Sequence, residues 1–210
     1  MMNFSKELID SLRQVVGERL SEKRFAHTLG VEKMALRIGE RIMPDRLSEL
    51  SVAALLHDIS KEYSEAEQLK WAENHNLSMT DEDLSSPQLW HSMTAASVIT
   101  HDFPECVTDD ILSAVTNHTT GAPDMSDFDS IILLSDYIEE GRKYDRCVDL
   151  RERFLTELNM TTTTDEARLS LDRAVYISLE NNISEFISRG VAYHRKTKAT
   201  RDAFLAKTER

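Results

Sequence analysis

The adjacent pair His57-Asp58 closes the apolar run Val52-Ala53-Ala54-Leu55-Leu56, and Asp136 sits inside Ile131-Ile132-Leu133-Leu134-Ser135-Asp136-Tyr137-Ile138. A carboxylate in such surroundings is costly unless an ion pair, hydrogen bonds or a metal ion compensates it. Neighbouring helix positions point about 100° apart, so His57 and Asp58 reach one ion only at the mouth of a pocket. Three further histidines, His27, His91 and His118, fall at separate helix starts or ends. Together these make six candidate ligands of imidazole and carboxylate type, a mixture that suits Fe, Mn, Zn or Ni better than Ca or Mg. That number exceeds the needs of one open catalytic site, and a carboxylate bridging two ions fits it. Singly, each residue has a plainer account. A lone histidine at a helix end is more often a hydrogen-bonder, Asp58 alone suits a cap, and Asp136 alone suits a satisfied core acid. One metal centre accounts for all of them together.

The elements that must position these residues are helical. Phe4, Leu8, Ile9, Leu12, Val15 and Val16 recur at three- and four-residue spacing and predict an N-terminal helix within 1–20. Ser21 is an N-cap candidate for a helix carrying Phe25, Leu29, Met34, Ile38 and Ile42 until Pro44 stops it. Ser48 opens a short, very apolar helix that ends in His57 and Asp58, and Ser64 with Glu67 forms a capping box for a helix through Trp71. Residues 76–90, which include Pro87, read as loop with one short turn. His91 starts a helix closed near Pro104, and Val107, Ile111, Leu112 and Val115 lead to His118. The run Thr119-Thr120-Gly121-Ala122-Pro123 breaks the pattern, Ser126 caps a helix reaching Gly141, and Thr164 caps a long one ending at Arg189 and Gly190. With no period-two strand, linker or repeat, the expectation is one all-α domain. A helix within 1–20 packs on a main body over 21–194, and a basic helix or tail follows over 195–210. That tail has six basic residues against two acidic ones and is expected as a solvated helix, with His194 near its start.

Composition excludes several classes of function. The 210 residues carry 25 Lys+Arg and 37 Asp+Glu, a net charge of −12, which argues against non-specific nucleic-acid or anionic-membrane binding. No stretch approaches the roughly 18 apolar residues of a membrane span. The N-terminal Met1–Gln14 segment carries acids where a secretory signal needs an apolar core, so a cytoplasmic location is expected. Cys106 and Cys147 form no spaced framework and read as reduced thiols. Trp71 and Trp90 suit packing, and His75 and His101 receive no role.

The segments Arg24-Phe25-Ala26-His27-Thr28-Leu29-Gly30-Val31 and Ala54-Leu55-Leu56-His57-Asp58-Ile59-Ser60-Lys61 resemble the opening of an HD-domain phosphohydrolase. Trp90-His91-Ser92, Asn117-His118-Thr119-Thr120-Gly121 and Leu134-Ser135-Asp136-Tyr137-Ile138-Glu139-Glu140-Gly141-Arg142 then follow in order. From about residue 20 to 200 the chain is similar to the YqeK-like branch, the bacterial HD-domain symmetrical dinucleoside tetraphosphate hydrolases. The resemblance implies a single HD-domain helical bundle with a dimetal pocket among its helices. It implies that His27, His57, Asp58 and Asp136 hold a first metal ion, usually iron, and that His91 and His118, with Asp58 bridging, complete a second site. Two iron ions are the expected cofactor, with Mn or another transition metal as alternatives.

The implied reaction splits diadenosine tetraphosphate into two ADP by attack of a hydroxide held between two ions about 3.5–4 Å apart. Lys61 would neutralise a phosphoryl oxygen, Thr119, Thr120 and the Gly121 backbone would donate to phosphate, and Arg142 would pair with a distal phosphate. Their plainer accounts are a surface lysine, a helix-ending turn, and an exposed arginine beside Glu139 and Glu140. Two departures from relatives, Ser92 in place of Gly and Val191-Ala192-Tyr193-His194-Arg195-Lys196-Thr197 in place of an Ile/Val-His-Pro-x-Thr pattern, leave the ligands untouched and bear on the pocket wall. The expected partner is a small-molecule nucleotide, with no nucleic acid and no membrane; a monomer and a homodimer are both compatible. Two alternatives stay open, an HD-domain hydrolase of nucleoside mono-, di- or triphosphates and a non-catalytic nucleotide-sensing module.

Overall fold

The computed structural model describes residues 2–209, in which eleven α-helices and no strand are found. Helices α1 (Lys6–Arg19) and α2 (Glu22–Ile42) start at Ser5 and Ser21, whose hydroxyls accept from the Leu8 and Arg24 amides. Pro44 ends α2 by opening a 3-10 turn, Pro44–Arg46, which runs into α3 (Leu47–Leu56). The Ser64/Glu67 capping box starts α4 (Glu65–Asn74) as expected. Residues 76–90 hold the four-residue α5 (Asp81–Leu84) and a second proline-led turn, Pro87–Leu89. Then come α6 (Trp90–Asp102), α7 (Asp109–Asn117) and α8 (Asp127–Ile138), the last with a Ser126/Asp129 capping box. Helix α9 (Asp145–Met160) has no counterpart among the expected elements. Helix α10 (Thr164–Ser188) is capped by Thr163, one residue earlier than expected, and ends where Gly190 turns at a φ of 64°. Helix α11 (Arg195–Thr208) ends the described chain.

Helix α3 has to be central because its second half is almost wholly apolar and buried on every side: Leu50, Val52, Ala53, Ala54, Leu55 and Leu56 are all fully buried. Around it pack α1, α2, α7 and α8, and α10 lies against α2, α8, α9 and α11. Three acids buried away from the site are all satisfied: Glu32 meets Arg13 at 2.7 Å, Glu49 meets Arg46, which also reaches Asp110 at 2.6 Å, and Asp129 accepts from the Ser113 hydroxyl at 2.6 Å. Apolar side chains from Phe4 to Phe204 form one continuous core. The C-terminal segment is helical, but it is not a freely solvated helix, because Thr197, Thr200 and Phe204 at three- and four-residue spacing bury one face of α11, chiefly against α10, while its other face stays exposed. None of the described helices is long and apolar enough to cross a membrane.

Candidate metal centre

Five elements bring the polar residues of the apolar runs to one place: α2 with His27, the C-terminal end of α3 with His57 and Asp58, the first turn of α6 with His91, the end of α7 with His118, and α8 with Asp136. His57 and His118 are equivalent local devices. Each caps its helix and donates its Nδ1 proton to the carbonyl three residues back, Ala54 and Val115, at 2.6 Å in both cases. A helix end leaves such carbonyls unpaired, and satisfying them fixes the tautomer so that Nε2 carries a lone pair.

Those lone pairs converge on the carboxylates. Asp58 Oδ1 lies 3.4 Å from His91 Nε2 and 3.5 Å from His118 Nε2, and Asp58 Oδ2 lies 3.6 Å from His57 Nε2. His91 and His118 face each other, Nε2 to Nε2, at 3.2 Å. On the other side His27 Nε2 is 2.9 Å from Asp136 Oδ1, close but not aligned as a hydrogen bond, so that buried nitrogen has no hydrogen-bond partner. Two groups have ligand atoms all within 4.8 Å of one another, His27/His57/Asp136 and His57/Asp58/His118, with His57 common to both. His57 Nε2 and Asp58 Oδ1 are likewise buried without a hydrogen-bond partner. Orphaned acceptors cost free energy, and a convergent set of imidazole and carboxylate donors is the set a transition-metal ion would satisfy.

Electrostatics agree with that donor chemistry. Burial drives the His57 imidazole down to about 4, and burial together with the Lys61 ammonium holds His91 well below its ordinary value, so both rings are neutral acceptors. Burial opposes ionisation of the two carboxylates, yet His57 and His118 hold Asp58, and Arg142 and His27 hold Asp136, well below the usual range. Lys61 Nζ sits 3.0 and 3.1 Å from the two nitrogens of His91, and burial lowers its pKa.

Each candidate carboxylate has an arginine. Arg142 Nη2 is 2.6 Å from Asp136 Oδ1, and its Nε donates to the Asp136 carbonyl, so the side chain expected at a distal phosphate is engaged by a candidate ligand. Arg24 Nη1 is 2.9 Å from Asp58 Oδ2. Arg24 and Glu139 are the site residues given no role from sequence. Glu139 Oε1 is 3.1 Å from His27 Nδ1 and so orients that ring. Both stand three residues from a candidate ligand, Arg24 before His27 and Glu139 after Asp136, and that spacing was the available signal. Gly30 makes room for the orienting carboxylate, since a Cβ there would meet Glu139 Oε2 at 2.5 Å.

A cavity of about 320 Å3 opens at the centre, lined by Lys61, His118, Thr119, Asp136 and Arg142 together with the aromatic residues Tyr137, Tyr144 and Phe186. Thr119 therefore faces the centre, but Thr120 and Gly121 do not line this cavity. Thr120 lines a neighbouring one. The Gly121 amide donates to the Asn117 carbonyl at 2.8 Å, which removes it as a phosphate donor. Gly121 is glycine for another reason: its φ is 67°, and a Cβ would lie 2.5 Å from Thr200 on α11.

A family model described as HD domain matches residues 24–158. Curated relatives include proteins named symmetrical bis(5'-nucleosyl)-tetraphosphatase from three bacteria. That of Bacillus subtilis is 31% identical over 69% of this chain and 76% of its own length. That of Halalkalibacterium halodurans is 28% identical over 97% and 98%, and that of Staphylococcus aureus 25% identical over 90% of each. A crystal structure from Clostridium acetobutylicum, described as a predicted HD superfamily hydrolase involved in NAD metabolism, aligns with a TM-score of 0.81 at 27% identity, covering 94% of this chain and 97% of that one.

Proposed function

The chain belongs to the HD-domain family, in the branch of the symmetrical bis(5'-nucleosyl)-tetraphosphatases, and from that premise we propose that it is a metal-dependent hydrolase that cleaves diadenosine tetraphosphate into two ADP. The observation that carries the reading is the convergence of His27, His57, Asp58, His91, His118 and Asp136, with unpaired buried acceptors, beside a cavity that also presents Lys61 and Arg142. His27, His57, Asp58 and Asp136 would hold one ion; His91, His118 and Asp58 would hold a second. Such ions supply Lewis acidity, making water ionise near neutral pH and drawing charge off phosphoryl oxygens.

The remaining work falls to the chain. Glu139 holds His27, and the Ala54 and Val115 carbonyls hold His57 and His118, so the ligands need no rearrangement as charge develops. Arg24 and Arg142 keep Asp58 and Asp136 ionised and in place. Lys61 brings a cation to the cavity as a point charge for a phosphoryl oxygen, and Thr119 lines the same wall.

The test joins metal analysis of anaerobically purified protein with chromatographic identification of the products from diadenosine tetraphosphate. About two transition-metal ions per chain and ADP alone are expected. AMP plus ATP would overturn symmetrical cleavage, and full activity in metal-stripped protein would overturn metal dependence. His57→Ala and Asp136→Ala are expected to abolish hydrolysis, by roughly a thousandfold or more in kcat/KM, while the helical circular-dichroism signal persists. Near-normal turnover in either variant contradicts the assignment of these two residues.

A further inference from the structure

The docked C-terminal helix closes a second cavity, of about 560 Å3, which has no role in the account above. That volume is in the range of small-molecule sites. Its apolar part comes from Leu89, Met93 and Pro123, and its polar part includes Asp83, Ser92 and His194. It adjoins the cavity at the candidate metal centre where Ser92 meets Thr119. Ser92, which follows His91, lines this cavity, and Thr119, which follows His118, lines the cavity at the centre; the Thr119 hydroxyl donates to Ser92 Oγ at 3.4 Å.

His194 is the informative residue. It caps α11, its Nδ1 accepting from the Lys196 amide at 3.2 Å, which leaves the ring proton on Nε2. That Nε2 is buried and makes no hydrogen bond, although the side chain is only 10% exposed and lines the cavity. Asp83 Oδ1 lies 3.3 Å away without being aligned to accept. The Asp83 backbone is pinned by Trp90, whose Nε1 donates to the Asp83 carbonyl at 2.6 Å. A buried donor left unmade is costly, and here it stands beside an acceptor and an apolar floor in a space that a ligand could fill. Two cations also line the cavity, but Arg195 is paired with Glu82 at 2.6 Å and Lys196 donates to Asn117 Oδ1 at 2.9 Å. Beside His194 the Asp83 carboxylate therefore disfavours a phosphate group, whereas a ribose hydroxyl can donate to Asp83 and accept from His194 while a base covers Met93 and Leu89.

We propose that this cavity receives one nucleoside of the dinucleotide, whose phosphate chain passes Ser92 and Thr119 to reach the metal centre. The inference rests on the dinucleotide reading above and adds the residues that hold one end of the substrate.

Two variants test it in the metal-loaded protein. Met93→Trp fills the floor, and His194→Ser removes the imidazole while keeping a good helix cap. Each is expected to raise KM for diadenosine tetraphosphate about tenfold, with kcat within about twofold, metal content unchanged and the helical signal intact. KM within about twofold of the wild type in both variants would overturn the subsite, as would loss of kcat alone in both. Equilibrium dialysis of ADP on the same proteins separates the two ideas. A wild type that binds ADP, loses it in both variants and yet releases no ADP from diadenosine tetraphosphate rejects the proposed reaction and retains the nucleoside subsite. A wild type that does release ADP, with KM and ADP affinity unchanged in both variants, rejects the subsite alone.

Discussion

The residue that couples the candidate metal centre to its support is His27. Burial pulls its imidazole down, but the Asp136 and Glu139 carboxylates beside it win and carry it from 6.5 up to about 9. In metal-free protein this proton stabilises the fold. Because the folded value lies above the unfolded one, the contribution is full below about pH 6.5 and is lost as pH rises through about 9, at most about 3 kcal/mol. Melting temperatures of metal-free wild type and His27→Gln, compared from pH 6 to 9.5, should therefore draw together as pH rises; parallel curves would contradict the pairing. Metal uptake has to expel the same proton, so it is favoured by the same rise in pH. Glu139 then acts on the neutral ring by orienting it. Glu139→Gln is expected to weaken metal binding by about 10–100-fold, with activity recovered when metal is added in excess. Gly30→Ala should give the same phenotype despite a better helix propensity, because its Cβ would press on Glu139 Oε2. Unchanged metal affinity in both variants would remove Glu139 from the site.

At the scale of elements, legibility followed the strength of local signals. Capping pairs such as Ser64/Glu67 and Ser126/Asp129 and the apolar second half of α3 announce themselves because their causes lie within a few residues. Among the candidate ligands, His57, Asp58 and Asp136 were legible as polar residues set in apolar runs, and His27, His91 and His118 by their places at expected helix starts or ends. Helix α9 was not, because its buried positions Cys147, Leu150, Phe154 and Leu158 are diluted by the charged residues between them. Arg24 and Glu139 were hidden differently: each looks like an ordinary surface charge until another helix supplies its partner. Helix α11 is the plainest case, since a basic segment reads as solvated and only tertiary packing shows Phe204 fully enclosed. Phe204→Ala should cost about 3–5 kcal/mol in chemical denaturation. A cost below about 1 kcal/mol would mean that α11 is not part of the folded core.

The whole molecule presents an anionic polyphosphate with an adverse field, since its net charge is −12. The basic C-terminal helix does little to reverse this. Arg195 is spent on Glu82 at 2.6 Å, Lys198 on Asp202 at 2.8 Å and Arg201 on Glu180. At the centre Arg24 and Arg142 are likewise spent on Asp58 and Asp136, so little cationic charge besides Lys61 stands free at that cavity before metal adds its own. Attraction is then short-ranged and confined to the loaded pocket, while repulsion comes from the surface as a whole. Salt discriminates between the two, because the Debye length falls from about 30 Å at 0.01 M to about 8 Å at 0.15 M, which screens a distributed surface charge far more than a buried contact. Raising ionic strength across that interval should therefore increase kcat/KM for diadenosine tetraphosphate, by about two- to fivefold, through faster association. A decrease would show instead that a basic surface steers the substrate, and would place Lys23 and Lys143, which line the wide cavity beside His27 and Arg142, among the groups that guide it.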